Sequence, residues 1–327
     1  MAGTLRALRR RLLTPNTSAA LLANRGFHEK DPATRELLET IGEIFLTGYG
    51  YVMEARTPAA AEPRLERIPE RFRGFGYEGA AMACAMLDGL TPGRRSRVAE
   101  FLDLSGRQHS YMIHVGVGWA MARLPGPRRR AVAPADPLLR WLALDGYGFH
   151  QAYFHTDEYV YRHRRDAMLP WPGGECGHYA ARAVDQGVGR AVWFAAGADP
   201  ALATDLVERF PADRRPDLYS GLGLAATYAG GADETELKDL WERVADHRPQ
   251  FAQGAAFGAT ARAEAGLTGP HTEAATRLFC GMEPDGAMRL CARSRPAPVI
   301  DRELPGYETW RTTIATALTD GGLPGAC

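Results

Sequence analysis

Hydrophobic positions along this chain recur at helical rather than strand spacing. Ala203 to Phe210 and Glu234 to Val244 each read as an amphipathic helix. Asp233-Glu234-Thr235-Glu236 sets an N-cap and acidic residues at the start of the second, which suits the helix dipole. Asp31 followed by Pro32 is another start signal, with Asp31 as cap and Pro32 as first helical residue. Between such stretches lies a different pattern, rich in small residues and repeated along the chain. It reads TGYGYV at Thr47, EGAAMA at Glu78, VGVGWA at Val115, DGYGFH at Asp145, QGVGRA at Gln186, SGLGLA at Ser220 and QGAAFG at Gln253. The anchoring glycines, Gly48, Gly79, Gly116, Gly146, Gly187, Gly221 and Gly254, are spaced by 31, 37, 30, 41, 34 and 33 residues. A period in this range marks a stacked repeat.

The internal grammar of the repeat predicts how it packs. Two residues after each anchor stands Gly50, Ala81, Gly118, Gly148, Gly189, Gly223 or Ala256, always small. The next position is large: Tyr51, Met82, Trp119, Phe149, Arg190, Leu224 or Phe257. Glycine inside a helix costs about 1 kcal/mol against alanine, so a compensating gain is required. Close approach of a neighbouring helix backbone supplies it, with the large residue filling the adjoining groove. Each unit is then one amphipathic helix plus one small-residue helix. The expected fold is all-α, a tetratricopeptide-like α/α solenoid of about seven helix pairs, although the tetratricopeptide consensus itself is absent. The repeats span 31–267, with 1–30 as an N-terminal cap and 268–327 as a C-terminal cap on a single domain.

Composition narrows the function classes. Hydrophobic residues make up 45% of the 327, ample for a core, and the formal net charge is zero. No global electrostatic attraction to nucleic acid or anionic lipid follows. The five cysteines, Cys84, Cys176, Cys280, Cys291 and Cys327, are scattered without a CxxC, which speaks against a disulfide framework or thiolate zinc site. No apolar run reaches the ~18 residues of a membrane span. The basic start, residues 4–13, lacks the apolar core and cleavage site of a secretory signal, so a cytoplasmic protein is expected.

The 41-residue interval after Gly146 is the longest, and repeat proteins place insertions on a binding face. Tyr147, Phe149, His150, Tyr153, Phe154 and His155 follow Asp145 there, with Tyr159, Tyr161 and His163 beyond. One reading is a ligand pocket with aromatic walls for an apolar or conjugated molecule and with His150 and Asp145 as proton carriers. The other is helix packing beside a solvated Arg/His face. Residues preceding the anchors are mostly polar: Thr47, Glu78, Asp145, Gln186, Ser220 and Gln253. On a partly buried face such side chains either bridge neighbouring repeats or line a site. With Trp119, they give Glu78, Gln186 and Gln253 as further substrate-binding candidates. Gly221-Leu-Gly223 fits a dinucleotide fingerprint by letter but lacks the preceding strand. His150 and His155 are poorly spaced for one metal, and Cys176 beside His178 lacks a third orienting group. No metal and no cofactor is expected.

RRLLTP (10–15), RGFH (25–28), RFRGFGYEGAAMA (71–83), HVGVGWAMARLP (114–125), LDGYGFHQAYF (144–154), YSGLGLAATYAGG (219–231) and QGAAFGATAR (253–262) resemble the UnbL-type family of unknown function, end to end. Members of that family are encoded beside enediyne polyketide synthases in actinomycetes. The resemblance implies a part in maturing a linear polyene polyketide into the enediyne core. It also implies UnbV-type and UnbU-type companion proteins as partners, the latter a membrane protein through which alone this chain would meet a membrane. It carries over no catalytic residue. The alternatives to a polyene-transforming protein are a non-catalytic scaffold for pathway partners and a carrier or self-protection protein.

Overall fold

The structure, a computed structural model, describes residues 10–11, 14, 16–91, 96–166, 174–300 and 303–320. Most of the basic segment 4–13, the stretch 167–173 and the Cys176 side chain lie outside the described residues. Among the described residues the regular structure is helical throughout, with no strand. Seven helices carry the recurring glycine core: α1 (Pro32–Glu54), α2 (Glu70–Leu90), α3 (Ser110–Arg123), α4 (Trp141–Phe154), α5 (Ala180–Ala195), α6 (Arg215–Ala229) and α7 (Arg248–Glu264). An eighth, α8 (Gly306–Asp320), comes near the C-terminus. The start signals work as expected. Asp31 stays extended and its carboxylate accepts the Thr34 N–H at 2.9 Å, and Asp233 forms a reciprocal capping box with Glu236.

The glycines sit at helix crossings. A methyl group added at Gly187 would lie 1.8 Å from the Asp145 carbonyl oxygen on α4, and one at Gly221 1.8 Å from that of Gln186 on α5. Gly254 meets the Ser220 carbonyl and Gly146 the Val115 carbonyl at 1.8 and 2.0 Å in the same way. The second small position works in the other direction: Gly118 faces Ala143, Gly148 faces Val184, and Gly223 faces Phe251, each about the same distance from a carbonyl of the following helix. Every glycine helix from α3 to α6 is therefore pinched between backbones on both sides, closer than any side chain permits.

Helices α2 to α7 run in one direction. Starts meet starts, as where Trp141 abuts Tyr179 and Arg182 pairs with Asp217. Ends meet ends, as where Gly89 abuts Leu124, Tyr153 meets Phe194 and the Trp193 indole donates to the Gly230 carbonyl. Helix α1 opposes them; its end, at Tyr51 and Glu54, meets Arg64 just before α2. The helices that link the row are unequal. They comprise 4, 6 and 6 residues (Glu62–Leu65, Arg97–Leu102, Gly126–Ala131) early on, and 9, 11 and 11 (Pro200–Glu208, Glu234–Val244, Pro270–Cys280) later. Between α4 and α5 no α-helix occurs among the described residues; a π-helical turn, Asp157–Tyr161, follows α4 instead. Regular pairs of helices thus describe the second half better than the first. The physical reason is that the glycine helices bury one another directly, and a short cover suffices outside them.

The row curls back on itself. Phe75 of α2 packs edge-on against Tyr228 of α6 at 5.0 Å, and the Arg262 guanidinium of α7 donates to the Arg71 and Tyr228 carbonyls. The chain before α1 ties down the ends of α5 and α6: His28 N–H donates to the Ala195 carbonyl, and Lys30 reaches the Gly231 carbonyl at 2.7 Å and Glu236 at 2.8 Å. Helix α8 lies over the starts of α5, α6 and α7, where Tyr307 reaches Gln186 and Arg311 reaches Asp217 and Gln253, and its Trp310 donates to the Cys291 carbonyl of the helix Pro284–Arg293. One hydrophobic core extends from Leu22 to Leu318. Among the described residues the concave side is largely filled with side chains, and a cavity remains between α1 and α2–α5.

Candidate functional site

That cavity is built from the large slot of the repeat. Met82, Trp119 and Phe149 each stand three residues after an anchoring glycine, on α2, α3 and α4, and together they make one wall. The equivalent residue on α5 is Arg190, and there the apolar wall stops. The far side comes from α1, which presents Ile41, Phe45 and Leu46, with Ala20 of the preceding segment beside Gly42. Tyr153 and Phe154 of α4 and Phe194 of α5 close the remaining side. The cavity amounts to about 50 Å³ and opens to solvent. It is a narrow slot. Its aromatic rings interlock, Trp119 lying 4.6 Å from Phe45 and 5.1 Å from Phe149.

One carboxyl faces this slot. Glu78, just before the anchor of α2, is 1% exposed, and its Oε1 has no hydrogen-bond partner among the described residues. Burial raises its pKa to about 7; Arg190 opposes the rise and Asp145 adds to it. Arg190 is committed elsewhere. It hydrogen-bonds Asp145 and lies over the Phe149 ring at 4.7 Å. One buried guanidinium thus stands among two buried carboxyls; burial raises the pKa of both, and only Asp145 is in contact with the guanidinium. The buried Trp119 indole N–H is turned toward Glu78 and favours its charged form. A neutral carboxyl in an apolar slot can donate a hydrogen bond or a proton to a bound molecule.

The other polar residues preceding anchors are used between helices. Ser220 donates to Gln253 across α6 and α7 at 2.8 Å, and Gln253 in turn receives Arg311 of α8 at 3.1 Å. Gln186 accepts from Tyr307, and the neighbouring Asp185 pairs with Arg214 and Arg165. Gln186 and Gln253 therefore sit under α8, away from the slot. The slot does bring together Glu78, Trp119, Phe149, Tyr153 and Phe154.

His150 stands behind Trp119, its ring 5.4 Å from the indole and 4.7 Å from Phe154. Burial lowers its pKa to about 3, so it is neutral, and Gln151 is its hydrogen-bond partner. Tyr147 points to the opposite side of α4, donating to Asp166 at 3.1 Å. His155 follows the end of α4 and is exposed. Asp145 reaches the slot only through its charge on Glu78. Sequence reasoning missed Phe45, Ile41 and Leu46 on α1, Phe75 on α2, Arg123 at the rim and Phe194 on α5. Phe194 was accessible to it, being seven residues, two helical turns, after Gly187. Among the described residues no group of three or more His, Cys, Asp or Glu side chains is placed to hold a metal ion, and no helix is long and apolar enough to cross a membrane.

Glycine-notched helices folded around a slot with a lone carboxyl define an all-helical protein with an internal apolar cavity. By sequence the chain belongs to the family described as protein of unknown function, DUF1702, whose model matches residues 4–318. No curated protein and no solved structure matches it.

Proposed function

We propose that this protein binds an apolar, conjugated small molecule in the slot between α1 and α2–α5, and that Glu78 is the one residue there equipped to act on it. The observation that carries the reading is the pairing of a narrow aromatic-walled slot with a buried carboxyl, whose pKa burial raises to about 7. Flat π-faces suit a polyene, and a slot this thin favours a linear chain over a globular ring system. The resemblance to UnbL-type proteins supplies the pathway half of the proposal, the maturation of a linear polyene into an enediyne core, with UnbV-type and UnbU-type proteins alongside. The stacking of glycine-notched units supports a helical-repeat ancestry of the fold. A scaffold presenting an open concave face is less well supported, since Tyr228, Arg262 and Phe257 fill that side.

Titration with a linear tetraene fatty acid, whose emission rises in apolar surroundings, tests the reading. Saturable binding is expected, weakened at least about tenfold by Leu46→Trp, which narrows the slot from its wall. Unsaturable binding, or binding indifferent to that change in a variant that unfolds at the wild-type temperature, would refute it.

A further inference from the structure

The slot has a direction. Helices α2–α5 run parallel along it, and Gly116 of α3 crosses α2 at the Glu78 carbonyl. Trp119 follows about one turn later on α3 and Arg123 a further turn on, which sets Arg123 about 10 Å beyond that crossing. Exposure rises the same way. Glu78, Met82 and Phe149 are buried, Phe154 is half-buried and Arg123 is exposed. The slot therefore has an apolar interior beside Glu78 and a mouth at the ends of α3 and α4.

That mouth carries two cations. Arg123 lines it directly. The other, Arg25, ends a short helix, Leu22–Arg25, whose following residues pack on the end of α4. There Phe27 meets Tyr153 edge-on at 5.1 Å, and the Arg25 guanidinium lies over the Phe154 ring at 4.7 Å. Tyr153 and Phe154 both line the slot, so the guanidinium is fixed at its edge. The Arg123 charge reaches His150 and the Arg25 charge reaches Tyr153, neighbouring positions near the end of α4. Among the described residues neither guanidinium has a hydrogen-bond or ion-pair partner. Glu39, whose charge also reaches Tyr153, accepts the Leu22 N–H at 2.9 Å instead. Elsewhere Arg97, Arg182, Arg190, Arg214 and Arg311 each meet a buried carboxylate. A cation suits the end of α3 by the helix dipole alone, but that role neither requires it to line an apolar cavity nor calls for Arg25.

A carbon chain in this slot meets rings along its length and guanidinium groups at its outer end. A carboxylate there gains charge-assisted hydrogen bonds in the planar geometry that arginine favours. An ammonium would meet two like charges. A carboxylate at the inner end would face Glu78, where Arg190 is already bound to Asp145. We propose that the ligand is amphiphilic, a linear unsaturated chain ending in a carboxylate, with the chain inside the slot and the carboxylate at the mouth between Arg25 and Arg123. This rests on the slot being a ligand site. It fixes the orientation of the ligand as well as its class: the unsaturated chain, not the head group, is what Glu78 meets.

A pair of probes separates this proposal from the reading it builds on: a linear tetraene fatty acid and the tetraene alcohol of the same length, titrated into the full chain at about pH 7, where the acid is ionised. At low salt the acid is expected to bind about fivefold tighter than the alcohol, a modest ratio because the mouth is open to solvent. The ratio should fall toward one at about 0.5 M salt, while binding of the alcohol holds. Arg123→Gln and Arg25→Gln should each lower the ratio, and the double variant should bring it within about twofold. Arg123→Glu should reverse the preference. In every variant the alcohol should bind within about twofold of wild type, which shows that the slot is intact. A purely structural role for the two arginines predicts lower unfolding temperatures with an unchanged ratio, and that result overturns the proposal. Equal binding of both probes to the wild type also overturns the head-group assignment and leaves the apolar slot standing. Binding of neither overturns both.

Discussion

Replacing Gly187 by alanine should destabilise the protein, against the ordinary expectation for a glycine in mid-helix. Propensity alone favours alanine by about 1 kcal/mol. At Gly187, however, the new methyl carbon would stand 1.8 Å from the Asp145 carbonyl oxygen and 2.6 Å from the Phe149 backbone nitrogen. Both obstacles are main chain of α4, so no rotamer change relieves the clash. Helices α4 and α5 must separate by more than 1 Å to restore ordinary contact, and this loosens Tyr153 against Phe194 and the Asp145–Arg190 pair together. Overpacking of a rigid core costs about 1–3 kcal/mol, and the loss of that packing places this case at the upper end or beyond, for a net loss of ~3 kcal/mol after the propensity gain. Gly126, which opens a short linking helix and has no atom within 4 Å of its added methyl, is the control. Thermal and urea unfolding of Gly187→Ala and Gly126→Ala should move in opposite directions, the first down by several degrees. A Gly187→Ala protein as stable as wild type would mean that α4 and α5 are not in backbone contact, and the stacking account would fail with it.

Further expectations concern the buried charges. A raised carboxyl pKa favours the folded state below the unfolded value, and that advantage is lost as pH rises through the folded one. For Glu78 the window runs from its ordinary 4.5 to about 7. The span corresponds to ~3 kcal/mol. Urea midpoints of the wild type should therefore fall relative to those of Glu78→Gln between pH 4.5 and 7, with the gap constant above; parallel curves would show that Glu78 is not buried as described. Asp145→Asn strips Arg190 of its partner and should cost about 3–5 kcal/mol at pH 4, below even the ordinary 4.5 of Glu78. At pH 8 part of that loss should return, because Arg190 can then charge Glu78; no recovery would contradict the sharing of one cation between two carboxyls. His150→Phe should change stability by less than about 1.5 kcal/mol and leave tetraene binding intact, since the ring is neutral and stands behind Trp119; loss of binding by a folded variant would place the imidazole in the site.

How much of this was legible in the sequence depends on what each residue answers to. The glycine anchors were, because a backbone-to-backbone contact tolerates only one residue type and so leaves a periodic trace. The large slot three residues on was legible too, and it carried Trp119 and Phe149 into the site. The orientation of α4 was not. Phe149 and Tyr153 face the slot while Tyr147 faces Asp166, and all are aromatic, so composition could not separate them. Nor could it show α1 as the far wall, since Ile41 and Phe45 are ordinary core residues until the chain closes on itself. The polar residue before each anchor had two readings. Ser220 and the side-chain oxygens of Gln186 and Gln253 are engaged from neighbouring helices, although both amide nitrogens are left without a partner among the described residues, while Glu78 faces Arg190 already taken by Asp145. That distinction belongs to the crossing geometry of three helices, and no local pattern encodes it.

The most direct measurement is a crystal structure of the full chain grown with a linear conjugated polyene. The account places the polyene in the slot, against the rings of Phe45, Trp119 and Phe149 and beside Glu78. A polyene lying outside the slot, with Glu78 sealed away from it, would contradict the account.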